Sequence, residues 1–166
     1  MIVGKGIAGA VLTEHLLAQG CDVKLIDDAK LSNSSKVAGG LYNPITGRKM
    51  VKTWKADLLF NYLEPFYENL ERRIDTRFLY KTSIYRPFMS VQEQNEWMGK
   101  SAESNFSPFV KSVIQKSSFD GDLKDPFGGL LLNNCGYVDT LSLLNGYRVY
   151  LKNKEVLNLN SNIIRN

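Results

Sequence analysis

Gly4, Gly6 and Gly9 follow the strand stub Ile2-Val3 directly and precede a helical pattern in Val11, Leu12, Leu16 and Leu17. No other feature restricts the fold so tightly. The G-x-G-x-x-G spacing gives each glycine a job: a tight strand-to-helix turn, close backbone approach to a pyrophosphate, and close packing of helix on strand. Gly20 is predicted to end the helix, and Asp22 to Ile26 reads as a second strand closing on Asp27-Asp28. Asp27 stands 23 residues after Gly4. There a carboxylate accepts from both hydroxyls of an adenosine ribose and repels a 2′-phosphate. The pattern reads as a parallel β-α-β crossover that binds a dinucleotide through Gly4, Gly6, Ile7, Ala8, Gly9, Asp27 and Asp28. The competing reading is a turn of the same shape that holds nothing.

The chain after Asp28 decides between dinucleotides. Residues 31 to 48 are rich in serine and glycine, contain Asn43-Pro44 and keep no period, which predicts an extended loop. Trp54, Leu58, Leu59, Tyr62, Leu63, Phe66 and Leu70 follow a helical repeat. They predict an amphipathic helix over 52–73, kinked at Pro65, with its aromatic stripe in the core. Strands are expected from Arg77 to Phe88, a helix capped at Ser90 running to about Ala102, and short strands or loops over 104–129. Leu130-Leu131-Leu132 reads as a buried strand, Asp139 or Thr140 as the cap of a helix carrying Leu141, Leu143, Leu144, Tyr147 and Tyr150, and 156–164 as one more strand.

Composition removes several classes. At 166 residues, 43% apolar and 23% charged, the chain is an ordinary globular sequence with room for one core or two small lobes. The +4 charge comes from scattered basic residues, so nucleic-acid binding is not expected. Cys21 and Cys135 are far apart with no histidine pair nearby, against a disulfide framework or a metal site. No apolar run reaches the ~20 residues of a membrane span and no signal peptide opens the chain, which predicts a cytoplasmic protein. His15, the single histidine, falls within the first helix, where a solvent-facing or capped role is expected.

The opening from Ile2 to Asp27 resembles the FAD-dependent oxidoreductases of the D-amino acid oxidase and glycine oxidase (DAO) type. A more specific likeness is Ser34-Ser35-Lys36-Val37-Ala38-Gly39-Gly40-Leu41, similar to that family's hydroxyl-rich and small-residue segment beneath the flavin. The resemblance implies that Ser34 and Ser35 hold the pyrophosphate, and that Ala38, Gly39, Gly40 and Leu41 lie along the isoalloxazine. A flat ring reaches backbone amides only where side chains are small. Gly136-Tyr137-Val138-Asp139-Thr140 is similar to the segment by which the family re-enters the cofactor domain, with Thr140 in place of proline. Residues 74 to 130 match only in general layout.

The resemblance implies an α/β fold: a Rossmann-like FAD-binding domain, incomplete, from 1–73 and 131–166, and part of an α+β substrate domain from 74–130. It implies an enzyme that takes FAD and oxidises an amine or amino acid by hydride transfer to flavin N5. Arg48, directly after the cofactor loop, is the candidate charge near flavin or substrate; Tyr85 and Arg86 are further candidates, and no catalytic side chain is assigned. Family members are about twice as long, so a fragment or clipped chain, inactive alone, is expected. Three alternatives stay open: an NAD-dependent dehydrogenase, which shares the first crossover; a non-catalytic nucleotide-binding fragment; and a flavin enzyme acting on modified tRNA.

Overall fold

The structure, a computed structural model, describes residues 1–28, 34–47, 49–117, 122–154 and 156–158. In chain order the elements are β1 (Ile2–Val3), α1 (Ile7–Ala18), β2 (Leu25–Ile26), the single turn α2 (Ser34–Val37), β3 (Leu41–Tyr42), β4 (Ile45–Thr46), β5 (Val51–Lys52), α3 (Ala56–Ile74), β6 (Leu79–Pro87), α4 (Val91–Lys100), a 3₁₀ turn (Ser107–Phe109), β7 (Val110–Ile114), β8 (Gly129–Val138), α5 (Thr140–Asn153) and β9 (Leu157–Asn158). They fall into two compact units. The first comprises Met1–Gly40, Phe66–Leu79 and Val138–Asn166, the second Leu41–Pro65 and Tyr80–Tyr137. Among the described residues, no helix is long and apolar enough to cross a membrane.

In the first unit β1, β2 and β9 form a parallel sheet in that order, with Ile2 opposite Leu25 and Leu25 opposite Leu157. Parallel neighbours demand crossovers, and α1 supplies the one between β1 and β2. Only Leu25 and Ile26 of the expected second strand pair, both buried, while Asp22 and Lys24 are exposed. Leu143, Leu144, Tyr147 and Leu151 of α5 recur at helical spacing and are buried in this unit's core, along with Ala10, Tyr67, Leu70 and Phe78. Burying each such leucine contributes about 1.5–3 kcal/mol. A polar knot sits in the same unit: Glu14 is ion-paired with Arg73 and accepts from the Tyr147 hydroxyl at 3.2 Å. Of the two candidate caps, Asp139 and not Thr140 caps α5, accepting from the Ser142 amide at 2.9 Å.

The second unit is organised around β8. β3 and β6 flank it, β7 pairs with it antiparallel, and Leu130, Leu132 and Cys135 bury its apolar face. Ile45, Met50, Ala56, Phe88, Trp97 and Phe109 complete that core. Ser90 caps α4 by accepting from the Glu93 amide at 3.1 Å, and the Glu93 carboxylate answers by accepting from the Met89 amide at 2.7 Å. The reciprocal pairing satisfies amides that the helix leaves free.

Three sequence expectations need correction. Residues 31–48 are not a featureless loop: α2, β3 and β4 lie within them, although Ala29 to Asn33 and Arg48 fall outside the described residues. The expected strand at Leu130–Leu132 is a ten-residue strand continuing to Val138, because Gly136 lets it run within contact of the Tyr80 backbone and Tyr42 hydroxyl, where a Cβ would clash at 2.3–2.6 Å. Third, α3 begins at Ala56, and its leading apolar stripe is not core: Trp54, Leu58, Leu59 and Tyr62 are exposed. Burial passes to Ala56, Tyr67 and Leu70, a face rotated from the one the aromatic residues mark. The second compact unit joins residues 41–65 to 80–137, with β3 paired to β8.

Candidate functional site

The turn between β1 and α1 is built by its three glycines in three separable ways. Gly4 has φ +93°, a conformation that strains an L side chain, yet space around its missing Cβ is open. Gly6 has ordinary extended angles, and a Cβ there would meet only the Ser35 side chain, with Oγ at 3.1 Å. Gly9 is the contact glycine: a Cβ would stand 2.0 Å from the Gly4 carbonyl oxygen. Strand-to-helix turn, open approach and close packing are therefore distributed as the spacing requires.

No side chain at Gly6 caps α1, so the first-turn amides depend on other groups. The Ile7 amide donates to Ser35 Oγ at 3.0 Å. A hydroxyl both accepts and donates, so Ser35 can hold this amide and still offer its proton to an anion. The Ala8 side chain is exposed and Ile7 half-buried. At the end of β2, Asp27 Oδ1 accepts the Lys5 amide at 2.9 Å, which brings the carboxylate to the same turn. Asp28, next along, is half-buried.

Among the expected flavin-side residues the structure distinguishes roles. Ser34, Ala38, Gly39 and Leu41 are exposed. Gly40 is fixed by geometry, with φ +65° and the Val138 carbonyl oxygen 1.9 Å from where a Cβ would lie. The Ala38 carbonyl accepts from the Thr140 hydroxyl at 3.3 Å, so the residue that stands where proline was expected ties this segment to the start of α5. Leu41 belongs to the second unit, on β3 opposite Tyr137.

The remaining candidates have other occupations. Tyr85 donates to the buried Asp125 at 2.7 Å, and Arg86 is ion-paired with Glu93 at 3.4 Å. Arg48 lies outside the described residues. His15 turns Nδ1 to the Val11 carbonyl oxygen at 2.7 Å and stacks on Phe66 with ring centroids 4.8 Å apart, a packed role. Cys135 is buried, and that burial pushes its thiol up to about 11, so it is no nucleophile at neutral pH.

Sequence reasoning missed Lys5, the residue between Gly4 and Gly6, and gave it no role. The residue is 7% exposed and its ammonium donates to the Leu144 carbonyl of α5 at 3.0 Å. Desolvation pulls it down to about 8; Asp27 opposes the fall, while Arg148, Lys36 and Lys152 add to it. A lysine between the first two glycines of such a motif was itself the available signal.

These residues fit a dinucleotide on physical grounds. An uncapped helix start, an open glycine approach, a hydroxyl above the first amide and a carboxylate closing the second strand are the elements that phosphate and ribose require. Comparison with solved structures bears on the fold. An iminodiacetate oxidase from Chelativorans sp. BNC1 superposes with a TM-score of 0.71 at 18% identity, covering 95% of this chain and 45% of that one. A glycine oxidase from Geobacillus kaustophilus gives 0.66 at 16%, covering 95% and 44%, and an L-amino acid deaminase from Proteus myxofaciens 0.65 at 14%, covering 94% and 36%. The chain thus spans less than half the length of each. A family model described as FAD dependent oxidoreductase (DAO) matches residues 1–159, and with nearly the whole length so matched, the chain belongs to the DAO family of FAD-dependent oxidoreductases.

Proposed function

We propose that this chain forms the dinucleotide-holding part of an FAD enzyme that oxidises an amine or amino acid. The observation that carries the reading is the β1-α1 turn, where the uncapped helix start, Ser35 above the Ile7 amide and Asp27 on the Lys5 amide converge. On this reading the amides of the turn and the Ser35 hydroxyl hold the pyrophosphate, and Asp27 accepts from the adenosine ribose. Gly4, Gly6 and Gly9 shape that turn, Ile7 and Ala8 supply its first helical amides, and Asp28 borders the ribose. Ser34 joins Ser35 at the pyrophosphate, and Ala38, Gly39, Gly40 and Leu41 lie along the ring system. FAD, when bound, supplies the hydride acceptor; the protein orients it and stabilises the charge of its reduced form.

Amine chemistry is favoured by the company the fold keeps, since the similar structures are an iminodiacetate oxidase, a glycine oxidase and an amino acid deaminase. The segments proposed for the two tasks are 1–73 and 131–166 for the cofactor and 74–130 for part of the substrate domain.

The test is titration with FAD and, separately, NAD⁺, followed by flavin fluorescence and by equilibrium dialysis. The expected result is saturable FAD binding that Asp27→Ala weakens about tenfold or more, with no comparable NAD⁺ binding. Binding of NAD⁺ in preference to FAD, or FAD binding indifferent to Asp27, would overturn the proposal. Anaerobic mixing of the FAD-loaded protein with glycine, iminodiacetate and a panel of L-amino acids, read as bleaching of the flavin band, then tests the substrate class.

A further inference from the structure

A buried lysine is costly, because an ammonium withdrawn from water loses several kcal/mol of solvation that one neutral acceptor restores only in part. Lys5 is in that position. It is more than nine-tenths buried, its Nζ is held by the Leu144 carbonyl at 3.0 Å, and its backbone amide is on Asp27. That carbonyl lies inside α5, so Lys5 draws on its second lone pair.

The surrounding charge makes the placement more expensive. Among the described residues, the charged groups acting on Lys5 are Asp27 from the end of β2, Lys36 from α2, and Arg148 and Lys152 from α5. Arg148 and Lys152 on α5 add to the charge of Lys5 itself, against the single carboxylate of Asp27. Arg148 adds an orphan of its own: its Nε is buried with no hydrogen-bond partner. Cations gathered around a buried lysine whose own backbone amide belongs to the glycine turn favour an anion that completes the cluster.

We propose that Lys5 is a charged positioning residue of the dinucleotide turn: its ammonium ties the turn to α5 and, with Lys36, Arg148 and Lys152, neutralises the pyrophosphate, so that cofactor binding is coupled to the protonation of Lys5. This inference rests on the dinucleotide reading above and adds a linkage that the reading does not contain.

The direction of the linkage follows from the charge. In the free protein Lys5 titrates near 8. A bound dianion favours the ammonium form and raises that value, so binding between pH 8 and 9.5 takes up a proton. By reciprocity, affinity is highest below pH 8 and falls as the free protein loses the Lys5 proton.

Two measurements test this. The FAD dissociation constant is determined from pH 6.5 to 9.5 for the wild type, Lys5→Met and Lys5→Arg. Calorimetry at pH 8.5, in two buffers of different ionisation enthalpy, counts the protons exchanged. Expected are a roughly five- to tenfold loss of wild-type affinity from pH 7 to 9.5, net proton uptake at pH 8.5, and a weaker, nearly pH-independent affinity in Lys5→Met. Lys5→Arg, always charged, is expected to bind with the same affinity at both ends of the range. A wild-type affinity flat across this range, with no buffer-dependent heat, overturns the inference even if Lys5→Met fails to fold. FAD binding would persist in that case and leave the cofactor reading intact. Absence of FAD binding at every pH overturns both.

Discussion

Alanine at Gly9 and alanine at Gly6 are the same chemical change three residues apart, and the structure assigns them opposite consequences. At Gly9 the new methyl carbon would stand 2.0 Å from the Gly4 carbonyl oxygen and 3.1 Å from its carbon. Ordinary contact needs about 3.4 Å, so turn and helix must part by more than about 1 Å, and the obstacle is backbone with no rotamer to escape into. Overpacking of this kind costs about 3 kcal/mol. Alanine recovers about 1 kcal/mol through helix propensity and a less disordered unfolded chain. The net expectation is a loss of about 2 kcal/mol. At Gly6, φ −71° and ψ −179° suit alanine, and the obstacle is the Ser35 hydroxyl at 3.1 Å, which can rotate away. The ~0.5–1 kcal/mol gained in the unfolded state offsets the similar loss of the Ile7–Ser35 hydrogen bond. Gly6→Ala is expected to be as stable as the wild type within about 0.5 kcal/mol, while its FAD affinity falls at least about tenfold because the methyl occupies the pyrophosphate approach. Urea unfolding, with equal m-values as the control, and FAD titration measure the two effects separately. Equal stability of the two variants would refute the assignment of Gly9 to packing; undiminished FAD affinity in Gly6→Ala would refute that of Gly6 to the approach.

The polar knot in the first unit yields a second prediction: Arg73→Met strands Glu14, which is 6% exposed at its side chain. Because Arg73 is itself 44% exposed, the loss should be about 2 kcal/mol, below the ~3–5 of a fully buried pair, and larger than the ~1 kcal/mol of Tyr147→Phe in the same denaturation assay. Leu70→Ala should cost about 2–4 kcal/mol and Leu58→Ala less than about 0.5, since the first is 2% and the second 65% exposed; similar losses in the two would mean that the exposed face of α3 is covered in solution. Removing the α5 cap with Asp139→Ala should cost about 1 kcal/mol at pH 7. The Ser142 amide and hydroxyl hold the Asp139 carboxyl below its usual range, so its contribution is present above the unfolded value near 3.8 and disappears as pH falls through the lower folded value. The wild-type advantage over Asp139→Ala should therefore shrink steadily as pH falls below about 3.8, which paired unfolding curves at pH 7 and at a series of acid pH values would show.

Where local chemistry dominates, the sequence was legible. The glycine turn, the cap at Ser90 and a cap at Asp139 or Thr140 all depend on residues within a few positions of one another; the first two are placed as their spacing predicts, and the structure selects Asp139 for the third. The stripe on α3 was misread for a complementary reason. Periodicity records that a helix has an apolar face but not where the covering elements lie, and here Tyr67 and Leu70 are buried while Trp54, Leu58 and Tyr62 remain outside. The loop over 31–48 hid α2 and two short strands, because two-residue strands exist only through their partners: β3 through β8, β4 through β5.

The sequence by itself determined the β-α-β opening, the glycine turn within it and the family, read from residues 2 to 41 as backbone conformation and small-residue spacing. Tertiary structure alone decided which hydroxyl meets the first helical amide, that Thr140 ties down Ala38, and that Lys5 runs under the turn to a carbonyl 139 residues away. Local spacing fixes dihedral preferences, which are properties of neighbours in the chain. Burial, desolvation and the pairing of charges are properties of neighbours in space, and those exist only once the chain has closed on itself.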